Sequence, residues 1–502
     1  MFKLCMCLFL TNLEIPIVNT SAFSITREIG GLDKVYWIIS AYMLGYVGVL
    51  VISAKLSDLF GRKSSLIIAT LIFMIFSGAC GASQTIVQLI IFRAFQGIGG
   101  AANYSLCAAI ILELVPSEKY AKYTSSVAIV YALSLLLGPI FGGAISGSST
   151  WRWVFLLNIP PVALAGIILI LALPNRFPNH HAPQDERRKF SLQKSVREAF
   201  RKVDMLGSSM LLVATVCLVA ALEEANQEYE WKSPFTIVML IISGVTRVVF
   251  LVWERRVTLT SSQVEPVFPW RFVHNRVWMN SIFLGGTWFV TIFQLPQRFQ
   301  VVNGLSPLQA GIRFIPFTVA APVGSALSSA VGKALKIPLV YLVLLASIIQ
   351  VVGFALLSTL SASLAISTAQ YGYQIIAGFG YGINISLLIL MTPFTVEEQD
   401  RAVAMGAVAQ FRVMGGSIFL AIVTSVSNGF IRSHLGGLLD DGQLHSVLHS
   451  AAAVPMLPSD AQIMVRTVFS ESYNLQMKIL AGCAGGQVLA SFLMWQKEQV
   501  IV

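Results

Sequence analysis

Ala54-Lys55-Leu56-Ser57-Asp58-Leu59-Phe60-Gly61-Arg62-Lys63 is a charged, glycine-containing turn set between two apolar runs, Tyr36 to Ser53 and Ser64 to Ser83. Each run is close to the ~20 residues that a helix needs to cross the hydrocarbon of a bilayer. A turn this short forces the two runs into an antiparallel pair, and Gly61 supplies the backbone freedom for the reversal. Asp58, Arg62 and Lys63 cannot sit in hydrocarbon, so they mark a membrane surface, and the basic residues favour its cytoplasmic side. By itself the turn is a solvated hairpin held by positive-inside charge.

The rest of the chain extends the same pattern. Of 502 residues, 56% are apolar and 12% charged, with a mean hydropathy of +0.74. Soluble domains carry roughly 25% charged residues, so a polytopic membrane protein is expected. Its spans must be helices, because backbone groups in lipid need internal partners; the apolar runs do not alternate as barrel strands do. The net charge of +10 is no signal for nucleic acid. Most Lys and Arg fall in loops placed inside by this reading, which sets both termini in the cytoplasm. Cys5, Cys7, Cys80, Cys107, Cys217 and Cys483 all lie in apolar runs, so neither a disulfide nor a metal site is expected. The first apolar run has no small-residue cleavage site and is taken as a span, not a removed signal.

Span 1, roughly residues 2 to 24, carries Glu14, about 16–18 Å from its inner end and so near the bilayer centre. A carboxylate there is costly unless paired or protonated, which makes it a functional candidate ahead of a plain packing residue. Span 2 opens with Trp37 and Tyr42, expected as interface anchors. Span 4 contains Arg93-Ala94-Phe95-Gln96-Gly97-Ile98-Gly99-Gly100. The guanidinium of Arg93 stays charged inside a span, so it must meet a polar cavity or a carboxylate. The glycines permit close helix approach. Span 5 ends in Gly138-Pro139-Ile140-Phe141-Gly142-Gly143, where proline interrupts the hydrogen-bond ladder and a bend is expected. Arg247, Arg313 and Arg412 are further charges within spans; the last two face either a cavity or a helix interface. Span 14 is placed at 474–495, and Ser427 to Tyr473 is expected as a polar outer loop.

Several of these stretches resemble the major facilitator superfamily. The charged turn resembles that family's loop between spans 2 and 3, with Asp58, Gly61, Arg62 and Lys63 as the gating motif. Ala54 stands where the family has glycine, so the tightest packing is not expected there. Arg93-x-x-Gln96-Gly97-x-Gly99-Gly100 resembles the span 4 motif, and Gly138-Pro139-x-x-Gly142-Gly143 the bend of its antiporters. Leu13-Glu14-Ile15-Pro16-Ile17-Val18-Asn19-Thr20-Ser21 resembles the first span of its fourteen-span drug:proton antiporters. Leu295-Pro296-Gln297-Arg298-Phe299-Gln300 and Gln410-Phe411-Arg412-Val413-Met414-Gly415-Gly416 resemble later segments of that branch. The resemblance implies an all-α integral membrane protein of the major facilitator fold: two six-helix bundles with two extra central spans, fourteen in total. The bundles would occupy 1–175 and 257–502, with a basic cytoplasmic loop at 176–203 and the extra spans at 204–256.

No enzyme is expected, since no phosphate-binding loop, metal cluster or intramembrane nucleophile is visible. The resemblance implies an exporter of hydrophobic or amphipathic small molecules, of the multidrug and toxin type that fungi carry. It would use no cofactor and draw on the proton gradient, with Glu14, Arg93, Gln96, Arg313 and Arg412 as coupling and cavity residues. Its partners would be substrate, protons and lipid, with no nucleic acid, and it would act as a monomer in the plasma membrane or the vacuolar membrane. Two other readings stay open at this stage. A siderophore or basic amino-acid carrier would show several cavity acids, and a non-transporting sensor would bring a long soluble tail. The charge distribution itself predicts that a cysteine placed at Gln184 is labelled by an impermeant reagent only from the cytoplasmic side; labelling from outside intact cells would overturn the topology.

Overall fold

The computed structural model describes residues 2–172 and 203–495, except 31–33, 35–36, 117–118, 149, 226–230, 261–263, 275, 336, 362, 364, 398–399, 441, 445–446, 448–453 and 455–456. All of the expected basic loop 176–203 but its last residue lies outside the described residues. The helices are α1 (Phe2–Ile29), α2 (Trp37–Phe60), α3 (Arg62–Ala82), α4 (Ile86–Glu113), α5 (Tyr120–Ser148), α6 (Arg152–Leu156), α7 (Ile159–Ala172) and α8 (Met205–Glu224). They continue with α9 (Pro234–Leu259), α10 (Val277–Val301), α11 (Pro307–Leu335), α12 (Leu339–Leu357), α13 (Ala369–Met391), α14 (Arg401–Leu435) and α15 (Ser459–Leu493). Among the described residues, ten helices are long and apolar enough to cross a membrane. The chain is therefore an all-helical, multi-pass membrane protein, as the sequence predicts.

The expected outer loop, Ser427 to Tyr473, is helical at both of its ends instead: α14 runs on to Leu435 and α15 already begins at Ser459. Both extensions are held by an apolar cluster in which Ile431, Leu435, Val465 and Phe469 pack with Val301 and Val302. Overall polarity gave a loop signal here, while a narrow apolar stripe on each helix gives it something to bury.

Two compact units partition the chain. The first comprises Met1–Ala221, Pro234–Asn275 and Ile389–Gln410; the second comprises Leu222–Ser233, Arg276–Leu388 and Phe411–Val502. In the first unit, α2 and α3 pack on α4, and α1 packs on α5. Glycines set the separation. A Cβ at Gly45 would overlap the Ala94 carbonyl and stand 3.3 Å from Ile98 N; one at Gly97 would overlap the Tyr42 carbonyl and stand 3.1 Å from Tyr46 N. Backbone thus lies on backbone along α2 and α4, the contact that lipid-embedded helices use when no hydrophobic force separates them from lipid. α9 shows the opposite character, with Ile237, Ile241, Val245, Val248 and Val252 forming an exposed apolar stripe that suits hydrocarbon.

In the second unit, α12 and α10 pack on α15, and glycines again mark the crossings. A Cβ at Gly378 would overlap the Phe317 carbonyl, and one at Gly415 would stand 2.6 Å from Ile282 Cα. Arg298, near the end of α10, is 4% exposed. Its guanidinium donates to Ser470 O at 3.3 Å, Ser470 Oγ at 3.2 Å, Asn474 Oδ1 at 3.1 Å and Ser361 O at 3.1 Å, tying α10 to α15 and to the segment after α12.

The glycine contacts predict a contrast between two substitutions. Gly97→Val must part α2 from α4 and should destabilise the detergent-solubilised protein by at least the ~1–3 kcal/mol typical of overpacking. Gly143→Ala should be neutral, because nothing stands within 4 Å of a Cβ at that position. Thermal denaturation of the two variants checks this, and equal melting temperatures would refute it.

Candidate functional site: a buried ionic network in the first unit

Glu14 and Arg93 meet with neither side chain exposed: Arg93 Nη1 lies 2.6 Å from Glu14 Oε1, both at 0% side-chain exposure. The other Glu14 oxygen accepts a short hydrogen bond from Asn158 Nδ2, in the link between α6 and α7. The guanidinium is held from three further directions. Its Nε donates to the Ile38 carbonyl of α2 at 3.0 Å, its Nη1 also donates to Gln96 Oε1 at 2.8 Å, and its plane lies 4.3 Å from the Tyr42 ring centroid. Gln96 Nε2 donates to Ser77 Oγ of α3 at 3.2 Å, and Ser77 Oγ donates to the Phe155 carbonyl of α6 at 2.8 Å. One network therefore reaches α1, α2, α3, α4 and α6. Arg93 Nη2 alone has no hydrogen-bond partner among the described residues.

The helix geometry makes this convergence. Arg93 and Gln96 are three residues apart on α4 and so share a face. That face can approach α2 only because Gly97 removes a side chain from the crossing, which also brings Tyr42 over the guanidinium. Tyr42 is 0% exposed and its hydroxyl donates to the Thr11 carbonyl at 3.3 Å, so it is a wall of the network and not the expected interface anchor. A tyrosine one turn inside a span reads as an anchor by its amphipathic character alone, but here the buried cation takes the ring face. Chemically, the arrangement is an acid that can exchange a proton beside a cation that cannot.

At the charged turn, Gly61 separates α2 from α3 with φ +93°, the left-handed side of the map that favours glycine. Arg62 folds back from there. Its Nη2 lies 2.5 Å from Asp58 Oδ1 and 2.8 Å from Glu113 Oε1, and its Nε donates to Glu113 Oε1 at 3.0 Å. Nη1 makes a short bond to Ser57 Oγ. Arg62 is 7% exposed, so this is a largely dehydrated triad joining the ends of α2, α3 and α4. Lys63 is half-buried beside it. Ala54 does take close packing after all, because the missing glycine is supplied from the other side: a Cβ at Gly406 of α14 would stand 3.3 Å from Ala54 Cβ and 3.1 Å from Leu50 O.

Gly138 and Gly142 of α5 lie against α1 just beyond Glu14. A Cβ at Gly138 would stand 2.8 Å from Pro16 Cβ, and one at Gly142 would stand 2.5 Å from the Ile17 carbonyl. Ser21 Oγ donates to Gly142 O at 3.3 Å. Gly143 points into open space. α5 runs from Tyr120 to Ser148 through Pro139, whose side chain lies outside the described residues. The other two candidates belong to the second unit. Arg313 is exposed, and its Nη1 donates to Tyr371 Oη at 2.5 Å. Arg412 is 5% exposed at the crossing where a Cβ on Gly285 would overlap its own carbonyl.

Asn158, Ser77, Tyr42 and Glu113 were not singled out for these roles by the sequence. Asn158 and Ser77 are common residues in polar-flanked spans, and only the folded chain shows what they face. Glu113 carried a readable signal: an acid at the end of α4 that antiparallel packing returns to the level of Arg62.

The corresponding crossing in the second unit is built differently. Where Gly378 meets Phe317, three buried rings fill the space: Trp288 lies 4.0 Å from Tyr381 and 5.6 Å from Phe317 between centroids.

The comparisons agree with this architecture. The model of the Major Facilitator Superfamily matches residues 4–420. An MFS-type transporter, FPY5, of Fusarium mangiferae is 37% identical over 99% of this chain and 83% of its own length. Multidrug resistance protein 3 of Bacillus subtilis is 30% identical over 86% of this chain and 80% of its own. Efflux pump roqT of Penicillium rubens is 28% identical over 84% and 75% respectively. Among solved structures, the proton:xylose symporter XylE shares the fold with a TM-score of 0.59 at 14% identity, covering 98% of this chain and 95% of that one. The chain belongs to the major facilitator superfamily of membrane transporters.

Proposed function

We propose that this protein is a fourteen-span, proton-coupled exporter of hydrophobic or amphipathic small molecules. The observation that carries the reading is the wholly buried Glu14–Arg93 pair. Burial disfavours the charge on Glu14 while the guanidinium favours it, and small changes in hydration during a transport cycle can tip that balance. A proton taken from one side and given up on the other would then drive substrate against its gradient as the bundles alternate about the site. The export direction is supported by relatives named as efflux pumps and as a multidrug resistance protein.

The test is Glu14→Gln in proteoliposomes. The amide keeps shape and hydrogen bonding but cannot titrate, so substrate binding should persist while a pH gradient no longer drives uphill efflux. Efflux at the parent rate would make Glu14 a packing residue. Glu14→Gln and Arg93→Met each strip the partner from a buried charge, which costs about 3–5 kcal/mol, so both single variants should lose stability and the double variant should recover much of the loss.

The Asp58–Arg62–Glu113 triad is read as a latch on one conformation of the cycle. Asp58→Asn is expected to slow transport at least tenfold with little change in substrate affinity. A loss of affinity as large as the loss of rate would place Asp58 in the binding site instead.

A further inference from the structure

A second pair of acids is withdrawn from water in the first unit, at the start of α8 and near the end of α9. Asp204 is 2% exposed and Glu254 0%. Asp204 caps α8: its Oδ1 accepts the Gly207 N–H at 2.8 Å. Both of its oxygens also accept from the Trp253 indole, each at 3.0 Å. Glu254 is served less well. Its Oε1 accepts the Val267 N–H at 3.2 Å, and its Oε2 has no hydrogen-bond partner among the described residues.

The two carboxyl groups converge on Gly207. A Cβ there would overlap Asp204 Oδ2 and stand 2.9 Å from Glu254 Oε1. The third helical position is therefore a glycine for a reason beyond helix propensity: any side chain would drive the acids apart. A helix cap accounts for Asp204 alone. It does not account for a glutamate with no exposure, placed beside that cap with one oxygen bare.

The charged neighbours are few. Lys55 of α2 is the basic group that acts on Glu254, and its Nζ is bound to Glu265 Oε2 at 2.9 Å. Arg255 and Arg256, next in sequence, are exposed. Trp253 donates to Asp204, and the backbone at Val267 and Phe268 faces Glu254. Two carboxyls that converge on one Cβ position, both withdrawn from water, disfavour a second negative charge. Glu254, with a bare oxygen, is the one fitted to carry a proton.

We propose that Glu254, with Asp204 beside it, binds one proton at the mouth of the α8–α9 hairpin, a protonation site separate from Glu14. Protonation forms one O–H bond on Glu254 and removes its negative charge. Release returns the proton to water at the end that the charge distribution places in the cytoplasm. The site lies on the helices that the proposed fourteen-span plan adds to the two bundles, yet its existence does not depend on the transport reading.

Infrared titration of the full-length protein in nanodiscs tests this, in a Glu14→Gln background so that the first pair is silent. The expected result is a protonated-carboxyl carbonyl band at neutral pH that Glu254→Gln removes. Asp204→Asn keeps the helix cap, since asparagine caps as well as aspartate, and should move the loss of the band toward acid by about a pH unit or more. A neutral-pH spectrum unchanged by Glu254→Gln would show that Glu254 holds no proton. A band whose midpoint ignores Asp204→Asn would show that the two acids are not a pair. Should Glu254→Gln not fold, the Asp204→Asn shift decides the matter alone. Failure here leaves the role of Glu14 in efflux untouched.

Discussion

A carboxylate and a guanidinium held away from water impose strict demands on whatever surrounds them. Each charge loses hydration worth several kcal/mol, and their attraction offsets that only when geometry is good and the remaining donors and acceptors are met. The first unit answers with Asn158 on the free side of Glu14, with Gln96, Ile38 O and Tyr42 around Arg93, and with Ser77 behind Gln96. These groups come from three helices and the link between α6 and α7, so their positions are set by how closely the helices approach. Gly97 between α2 and α4, and Gly138 and Gly142 between α1 and α5, are what allow the approach. Electrostatics and backbone packing are one constraint in this bundle.

The second unit repeats the packing, and among the described residues rings stand at the crossing in place of an ion pair. Gly378 lies on the Phe317 carbonyl as Gly97 lies on that of Tyr42, so the helix crossing repeats. Between those helices, however, stand Trp288, Phe317 and Tyr381, stacked and buried. Rings fill the same kind of space without asking for counter-charges, at the expense of any capacity to exchange a proton there.

Much of this was legible in the sequence. Long apolar runs between charged turns gave the helices, because lipid leaves backbone groups no other partners. Glu14, Arg93 and Gln96 stood out because a charge or amide deep in an apolar run is costly and so has a reason. The members whose part in the network was not read, Asn158, Ser77 and Tyr42 (taken as an interface anchor), are cheap to place in or near a span and acquire this meaning only from a partner far away in sequence. Glu113 had a signal of its own, an acid at the end of α4, although its partner Arg62 stands fifty-one positions away. The outer segment was misread for a different reason: α14 and α15 extend beyond their apolar stretches on narrow stripes such as Ile431 and Leu435, which average out in a window of mixed polarity.

The placement of Glu14 and Arg93 also has an electrical side. Paired, they are neutral, and the voltage across the membrane exerts no net force on them. A proton on Glu14 would leave the guanidinium as a lone positive charge inside the hydrocarbon. Carrying one charge across a membrane is worth about 2.3 kcal/mol per 100 mV. A resting potential, negative inside, would therefore pull the protonated bundle inward and leave the unprotonated one alone. By the arrangement of one ion pair, a chemical gradient and a voltage would draw on the same moving part.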